Sequence, residues 1–451
     1  MSSSENLKIG VSGLRGVVGD TLTPELILNF AQAFGTYLNG GTVVVGRDTR
    51  PTGIMIKYSI FSGLISSGCK IVDLDICPTP TVLMMVKELK AAGGIVITAS
   101  HNPLQWNGLK FVKNTGMFLN PDENNKLLQI YSDKNNFKNN EWAKLGNLIK
   151  SSKNPEKTHF GKIFKHVDKK AIRKAKLKVA FDCVNGAGSV FTPLFLKELG
   201  CRLIPINTKP DGIFPHTPEP VPENLKDLCK LVKSKKADIG FAQDPDADRL
   251  AIVDENGNPI GEEYTLALVL DYILSKKRSS KVVLNLSTSR ASEDVAKKHD
   301  CEVIRTKVGE ANVAEGMIEH NALIGGEGNG GVIYPAINFC RDSFVGMAFV
   351  LSYLAESKKK LSEIIKTLPQ YKIVKAKFEL PKSKIEIALK TVKEKYRNEK
   401  ITTIDGIKID WNDSWAHIRA SNTEPVIRIA AEARTNEQAE QIVEKICREI
   451  I

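Results

Sequence analysis

The sequence lacks the features of a membrane or exported protein. Its 451 residues contain no apolar run near the length of a bilayer span, and residues 1–6 lack the apolar core of a signal peptide. The eight cysteines are scattered, and no two of them form a Cys-x-x-Cys pair. This absence argues against a zinc site and favours reduced thiols, so we expect a cytoplasmic protein with no membrane partner.

Sequence patterns of two further classes are also absent. The formal net charge is +12, but no zinc-finger, RNP-type or basic-zipper pattern accompanies it. We therefore interpret the lysine-rich stretches as a solvated surface that can attract small anions, and we expect no nucleic-acid partner. No Gly-x-Ser-x-Gly elbow is present, which argues against a serine hydrolase.

An internal repeat indicates the fold class. The composition is that of a globular protein, with 42% hydrophobic and 26% charged residues. Strand-like residues 42–45, 177–181 and 281–284 are each followed by a helix-like stretch and a second short strand, at 68–72, 200–204 and 300–304. A crossover helix joins parallel strands, so the repeat predicts three related α/β domains with partly parallel sheets. The cysteines in the second strands are then core residues.

A candidate nucleophile follows the predicted strand at residues 94–97. Loops at the carboxyl ends of strands line the ligand crevice of open α/β sheets, and Ser100 lies in such a loop. Pro103 disfavours helical geometry at Asn102, so we expect an extended loop in which the side chains of Ser100 and His101 diverge.

Three aspartates alternate between two apolar runs, residues 237–242 and 250–253. Alternate residues of an extended chain point the same way, so Asp244, Asp246 and Asp248 can converge on one hard cation, and Mg²⁺ suits a site that also holds a phosphate. An EF-hand is the alternative, because Glu255 stands at position twelve counted from Asp244. Arg249 stands where that loop needs glycine, and the flanks read as strands. A Ca²⁺-binding protein remains the non-enzyme alternative.

Two later loops carry groups suited to a sugar and to a phosphate. Residues 325–331 are rich in glycine, which lets a ligand approach the backbone, and Glu327 and Asn329 can bind sugar hydroxyls. Near the C-terminus, Arg419 and Arg428 bracket short polar residues, and arginine forks match phosphate oxygens. The bracketed residues are Ser421, Asn422 and Thr423.

In this order, the four loops resemble those of the α-D-phosphohexomutases, the superfamily of phosphoglucomutases, phosphomannomutases and phosphoglucosamine mutases. The resemblance covers nearly the whole chain, with further matches at residues 13–16, 45–50 and 107–110. It implies four domains around a central cleft, with the phosphoserine, metal, sugar and phosphate loops in domains I to IV. We place domain I at 1–152, domain II at 153–255, domain III at 256–369 and a smaller α+β domain IV at 370–451.

The resemblance also implies a mechanism. Hexose 6-phosphate and 1-phosphate would interconvert through a phosphate carried on Ser100 and a sugar bisphosphate intermediate, which also serves as activator. The phosphate on Ser100 would join the three aspartates around Mg²⁺. Lys110 is the implied general acid and base, and Arg15 and Arg249 would supply positive charge. We expect His101 to hydrogen-bond within the site.

One position bears on the choice of sugar. Glu310 stands where some mutases carry histidine, and Asn329 replaces a common serine in the sugar loop. This combination resembles bacterial and archaeal phosphoglucosamine mutases, and the charge of Glu310 favours an amino group over a hydroxyl. A phosphomannomutase/phosphoglucomutase of dual specificity is the alternative. Whether the protein is a monomer or a homodimer stays open.

Overall fold

Four β-sheets follow one another along the chain. The computed structural model describes residues 7–10, 13–277, 280–421 and 426–450. In that part of the chain, three sheets are mixed and the last is entirely antiparallel. The predicted fold class, three related α/β domains and a C-terminal α+β domain, is confirmed. The predicted limits between the domains stay predictions.

Domain I contains a seven-stranded sheet in the order β1-β2-β6-β5-β3-β4-β7. Strands β3 and β4 are parallel, as the repeat predicts, because a helix crosses between them. The strands are β1 (Lys8–Gly10), β2 (Gly13–Val17), β3 (Gly41–Arg47), β4 (Cys69–Ile76), β5 (Gly93–Ile97), β6 (Trp106–Lys113) and β7 (Leu148–Ile149). The helices are α1 (Pro24–Tyr37), α2 (Gly53–Ser66), α3 (Thr79–Glu88) and α4 (Pro121–Ser132).

Domain II contains a four-stranded sheet in the order β11-β10-β8-β9. Its strands are β8 (Lys178–Asp182), β9 (Arg202–Ile206), β10 (Ile239–Gln243) and β11 (Leu250–Val253). Its helices are α5 (Pro155–Ile163), α6 (Lys169–Ala175), α7 (Gly188–Glu198) and α8 (Lys226–Lys235).

Domain III repeats this arrangement, with the order β13-β12-β14-β15. Its helices are α9 (Glu262–Lys276), α10 (Arg290–Lys298), α11 (Glu310–Glu319), α12 (Ser343–Ser357) and α13 (Leu361–Ile365). Its strands are β12 (Lys281–Asn285), β13 (Glu302–Thr306), β14 (Ile324–Glu327) and β15 (Gly331–Ile333).

Domain IV contains an antiparallel sheet in the order β16-β20-β19-β18-β17. Its strands are β16 (Lys372–Glu379), β17 (Lys400–Thr402), β18 (Ile407–Asp410), β19 (Trp415–Ala420) and β20 (Val426–Ala433). The helices are α14 (Lys382–Lys395) and α15 (Asn436–Ile450), and the second agrees with the helix-like pattern of the C-terminal residues.

The first three sheets share one strand pattern that positions their functional loops. In each, a central strand pairs in parallel with a neighbour on both sides. One of these two neighbours, β5, β10 or β14, continues through a loop into a strand that pairs with it in antiparallel. The serine loop joins β5 to β6, the aspartate loop joins β10 to β11, and the glycine loop joins β14 to β15. The three loops therefore occupy equivalent positions in the repeat.

Helix starts are encoded locally. Thr23, Asn120 and Asn154 each cap a helix by accepting a hydrogen bond from the backbone amide of its third residue, and each is followed by proline. This pairing is favourable because the cap satisfies an orphan amide, and proline at the first helical position has no amide to satisfy.

Domains I to III share a continuous apolar core, whereas domain IV has a separate one. All eight cysteines are free. Of the three in the second strands, Cys69 and Cys301 are buried, as predicted, whereas Cys201 is only partly buried. Among the helices of the described residues, none combines the length and the apolar character needed to cross a bilayer.

A buried polar chain also joins the first three domains. The Thr81 hydroxyl of α3 lies 2.8 Å from Nδ1 of His159 on α5, and His159 Nε2 lies 2.7 Å from Oδ2 of Asp342. All three residues are buried, and Asp342 also caps α12. A carboxylate only accepts hydrogen bonds, so Nε2 of His159 donates to Asp342.

Replacing His159 with alanine should destabilise the protein. The change leaves two buried polar groups without this partner, each at a cost of about 1–3 kcal/mol. We expect a fall in the thermal midpoint of at least about 2 °C, measured by circular dichroism. His320→Ala, at the half-buried C-terminal end of α11, is the control. Equal midpoints for the two variants would contradict the prediction.

Candidate active site

The three aspartates lie in a tight turn between β10 and β11. They are buried, and one carboxylate oxygen from each lies within 4.8 Å of the other two. The Ala247 amide donates to the Asp244 carbonyl over 2.9 Å, and Ala247 has a left-handed φ of 55°. The carboxylates converge as we expected, but our expectation that they do so by alternation along an extended chain is wrong. A turn brings them together instead.

Positive groups from two other domains face this cluster. Lys110 Nζ lies 2.7 Å from Oδ2 of Asp246 and 3.7 Å from Oδ2 of Asp248, and an Arg341 nitrogen lies 2.7 Å from Oδ2 of Asp248. The Oδ1 atoms of Asp246 and Asp248 are buried and accept no hydrogen bond from the described residues. Buried carboxylate oxygens that lack partners fit a divalent cation, so this cluster can bind a metal ion.

The pKa values of Asp244 and Asp246 show how strongly the aspartates affect one another. Burial, together with the negative charges of Asp248 and Asp246, raises the pKa of Asp244 well above its usual range. Burial also raises the pKa of Asp246, but Lys110 and hydrogen bonds from Asp244 and Thr79 outweigh it and lower that pKa. Burial and the neighbouring carboxylates thus favour the protonated form of Asp244, and the charge of a bound cation would favour the ionised form.

Ser100 lies against the aspartates in a strained turn. Its hydroxyl donates to Oδ2 of Asp244 over 2.8 Å, and it is 1% exposed. Its φ is 50°, a left-handed value that costs a non-glycine residue about 1–2 kcal/mol. Arg50 holds the turn by donating to the carbonyls of Ser100 and Asn102 over 2.8 and 2.6 Å. The predicted extended loop is therefore wrong.

The turn also places His101 beside the serine instead of away from it. Nδ1 of His101 lies 3.4 Å from the Ser100 hydroxyl oxygen, so the expected divergence of the two side chains is wrong. The charge of Arg249, then burial and the charge of Arg15, lower the pKa of His101 to about 2. The imidazole is neutral at physiological pH. Glu219, which the sequence did not single out, lies 3.9 Å from Nε2 of His101 and 3.6 Å from Arg249.

Arg341 connects the aspartates to the sugar loop. Its guanidinium lies 2.7 Å from Asp248, 2.8 Å from Glu327 and 3.2 Å from Glu310. Burial raises the pKa of Glu310 to about 7, although the charge of Arg341 opposes the rise. No motif surrounds Arg341 in the sequence. Only the folded chain shows that it lies among three carboxylates.

The sugar loop presents Glu327 and Asn329 at the cavity. Glu327 already accepts hydrogen bonds from the Asn285 side chain, the Gly309 amide and Arg341, at 2.8 to 3.0 Å. A carboxylate has about four acceptor positions, so one remains for a ligand. The Oδ1 atom of Asn329 is buried without a hydrogen-bond partner in the described part of the chain.

A glycine is required in the sugar loop. A Cβ atom at Gly328 would lie 1.7 Å from the carboxylate of Glu263. That carboxylate is held in place by the Ser289 amide, which donates to it over 2.9 Å.

One face of the domain IV sheet supplies the positive end of the site. Strand register places Lys377 opposite Arg428 and Arg428 opposite Arg419. Directly opposed residues of antiparallel strands share a face, and all three line the cavity. Ser421 follows β19, whereas Asn422 and Thr423 lie outside the described residues. Lys377 was not predicted, because only the register shows its position.

All four domains enclose one cavity of about 880 Å³. A volume of this size is ample for a small ligand. Residues of every predicted loop line it, as do several that the sequence did not indicate. The predicted residues at the wall are Arg15, His101, Lys110, Arg249, Glu310, Glu327, Asn329, Arg419 and Arg428.

The EF-hand alternative is not supported by the geometry. The aspartate loop joins two antiparallel strands and not two helices. Glu255, the residue at position twelve, accepts a hydrogen bond from the Ser362 hydroxyl at 2.5 Å instead of joining the aspartates. Among the described residues, the group of three or more His, Cys, Asp or Glu side chains that could hold a metal ion is Asp244, Asp246 and Asp248.

Comparison with known proteins gives matches along the whole chain. Models of the phosphoglucomutase/phosphomannomutase α/β/α domains I, II and III match residues 6–138, 157–257 and 261–371, and the C-terminal domain model matches 374–449. A "Phosphoglucomutase/phosphomannomutase" of Thermococcus kodakarensis is 40% identical over 442 residues, which cover 96% of each chain. A Methanopyrus kandleri protein named "Probable phosphoglucosamine mutase" is 38% identical over 436 residues, covering 96% of this chain and 95% of the relative.

The similarity extends to solved structures. A phosphoglucomutase/phosphomannomutase family protein of Burkholderia thailandensis superposes with a TM-score of 0.85 at 26% identity, over 100% of this chain and 97% of the other. The similarity therefore includes the arrangement of all four domains.

Substituting Asp248 should weaken metal binding. An ion that binds only the folded state stabilises it by about 2.7 kcal/mol at 100 times its Kd. We expect Mn²⁺, used as a probe, to raise the thermal midpoint of the wild type clearly and that of Asp248→Asn much less. Asp227→Asn, at an exposed position on α8, is the matched control. An equal Mn²⁺-induced shift in both variants would show that the ion binds elsewhere.

Glu263 should make stability depend on pH. Burial, the largest cause, raises its pKa from 4.5 to about 8. Between these values the folded state holds a proton that the unfolded chain has lost, so stability falls as pH rises through this range. Glu263→Gln should therefore gain thermal stability over the wild type from about pH 5 to pH 8, and the difference should level off above that. A gain that is constant with pH, or equal to that of the exposed control Glu302→Gln, would contradict this.

Proposed function

Because the chain belongs to the phosphoglucomutase/phosphomannomutase family, we propose that it is a phosphohexomutase that moves a phosphoryl group between the 6- and 1-positions of a hexose, with glucosamine phosphate as its preferred substrate. The observation that carries this proposal is the position of the Ser100 hydroxyl. It lies 2.8 Å from Oδ2 of Asp244, in the cluster that can bind a metal ion. The next residue, His101, lines the cavity to which all four domains contribute.

The metal cluster fits Mg²⁺. Asp244, Asp246 and Asp248 would hold the ion together with an oxygen of the phosphate on Ser100. When bound, Mg²⁺ would neutralise charge on the oxygens of the transferring phosphoryl group. The orphaned Oδ1 atoms of Asp246 and Asp248 support this assignment.

Phosphoryl transfer then requires positioning and positive charge. A free hydroxyl of the sugar monophosphate attacks the phosphorus on Ser100, and the bond from phosphorus to the serine oxygen breaks, which gives a bisphosphate. After the bisphosphate turns round, its other phosphate returns to Ser100. Arg15 and Arg249 line the cavity beside His101 and stabilise the negative charge. Lys110 would exchange the proton of the attacking hydroxyl, and its position at the cavity, 2.7 Å from Asp246, supports this role.

The fourth domain would hold the phosphate that does not react. Arg419 and Arg428 lie side by side on neighbouring strands, and arginine forks bind phosphate oxygens in two-point geometry. Ser421 follows directly on β19, and we assign Asn422 and Thr423 to the same site from the resemblance. A trace of sugar bisphosphate would activate the enzyme by phosphorylating Ser100.

The sugar would lie between Glu327, Asn329 and Glu310. These residues line the cavity and offer two carboxylates and an orphaned amide oxygen. Acceptors of this kind favour an ammonium group over a hydroxyl, which supports glucosamine phosphate. The name of the Thermococcus kodakarensis relative supports the second candidate, a phosphomannomutase/phosphoglucomutase of dual specificity.

The free cysteines and the cavity also bear on the location, the substrate and the oligomeric state of the enzyme. Eight free cysteines support a reducing compartment, and we propose a cytoplasmic location. The substrate is a small phosphosugar, and we propose a monomer or a homodimer.

Ser100→Ala should abolish turnover without unfolding the protein. We expect a loss of at least about 10³-fold in kcat, because no other side chain takes over the phosphoryl group. Glucosamine, glucose and mannose phosphates are compared with Mg²⁺ and a trace of bisphosphate. Ser132→Ala, an exposed serine at the end of α4, is the control. Full activity of Ser100→Ala would refute the mechanism, and a wild type inactive on all three sugars would refute the function.

A further inference from the structure

A serine and a histidine from different domains meet at the cavity wall. The Ser287 hydroxyl oxygen lies 2.7 Å from Nδ1 of His417, and both residues line the cavity. Ser287 lies two residues after β12, in a turn that its amide closes by donating to Oδ1 of Asn285 over 2.9 Å. His417 lies on β19, two residues before Arg419, so the two side chains share a face of the sheet. The proposed mechanism uses neither residue.

The proton in this hydrogen bond can be placed from chemistry. Nε2 of His417 lies 2.6 Å from the backbone carbonyl oxygen of Asp405. A carbonyl oxygen only accepts, so Nε2 carries the hydrogen. Burial lowers the pKa of His417 to about 4, so the ring is neutral near pH 7 and Nδ1 has a lone pair. The Ser287 hydroxyl must then be the donor.

This arrangement makes Ser287 an acceptor toward the cavity. A hydroxyl has one proton and two lone pairs, and Ser287 uses its proton in the hydrogen bond to His417. What Ser287 can offer a ligand is therefore an oxygen lone pair. A neutral His417 also adds no further positive charge to a wall that already carries Lys375, Arg419 and Arg428.

The position of Ser287 indicates which ligand group it would meet. Asn285, which closes the serine turn, also donates to Glu327 of the sugar loop over 2.8 Å. His417 is two residues from Arg419 of the phosphate site. Ser287 thus lies between the residues assigned to the sugar and those assigned to the phosphate, where the ring of a hexose phosphate would lie if both assignments hold.

We propose that Ser287, oriented by His417, accepts a hydrogen bond from a hydroxyl or amino group on the hexose ring and so contributes to the choice of sugar. This inference rests on the proposed phosphohexomutase function. The pair also joins domains III and IV, so a test has to separate ligand binding from domain contact.

The first arm of the test compares kinetic constants. Ser287→Ala should raise KM for the preferred sugar phosphate about 3- to 10-fold, the range expected for one neutral hydrogen bond, with a smaller change in kcat. His417→Leu should behave similarly, and His417→Asn, whose amide oxygen can replace Nδ1, should lose less. Ser234→Ala, an exposed serine on α8, is the matched control.

The second arm identifies the ligand group. Fluorine cannot donate a hydrogen bond, so hexose 6-phosphates with fluorine at position 2, 3 or 4 remove one donor at a time. For one of these analogues, the wild type and Ser287→Ala should have equal affinity in isothermal titration calorimetry. For the other analogues, Ser287→Ala should still bind more weakly than the wild type.

The outcomes separate the two proposals. An active wild type with unchanged KM in Ser287→Ala would overturn this inference and leave the mutase function intact. A Ser287→Ala effect that is the same for every fluorinated analogue would also overturn it, because the pair would then act only between domains. A wild type inactive on all sugar phosphates would overturn both proposals.

Discussion

The structure depends on three buried aspartate carboxyl groups, with one oxygen of each within 4.8 Å of the other two. Such a cluster is unstable unless positive charge balances it, and the chain supplies that charge from separate parts of the fold. Lys110 comes from a strand of domain I and Arg341 from the segment before α12 of domain III. The aspartate loop therefore requires its neighbouring domains to be in place. Even then, two carboxylate oxygens keep no hydrogen-bond partner among the described residues, which leaves room for a cation.

The repeat explains how the domains meet at this point. Equivalent loops of domains I, II and III carry Ser100, the aspartates and Glu327, each between a parallel strand and its antiparallel neighbour. A common apolar core and the buried chain through His159 hold these domains as one body. The proposed nucleophile and the proposed metal site thus belong to one packed part of the molecule, as accurate phosphoryl transfer would require.

Domain IV is attached differently. Its apolar core is its own, and its contacts with domain III include a set of polar bonds. Arg290 donates to the carbonyls of Trp411, Asn412 and Ser414, and the Val308 amide donates to Asp405. Polar contacts can be exchanged with water at small net cost, unlike a shared apolar core. An attachment of this kind suits a domain that has to release a phosphate while the proposed bisphosphate turns round.

The sequence allowed prediction of the strand-helix-strand repeat and the location of each loop. It did so because apolar runs, glycine clusters and carboxylate clusters are local signals. It did not allow prediction of the left-handed turns at Ser100 and Ala247, since nothing local to a serine or an alanine indicates a positive φ. Glu219, Arg341 and Lys377 were missed for another reason. Each reaches the cavity only through long-range packing or strand register.

Arg341 also connects the aspartate cluster to the two carboxylates proposed to bind the sugar, which bears on the proposed specificity. Burial raises the pKa of Glu310 to about 7, and the negative charge of Asp248 adds to the rise while Arg341 opposes it. A cation at the aspartates would cancel the contribution of Asp248. Glu310 would then be more acidic and would carry its charge near neutral pH, where an ammonium group on the sugar gains more from it than a hydroxyl does. Preference for an amino sugar would therefore be a property of the metal-loaded site as a whole and not of Glu310 alone.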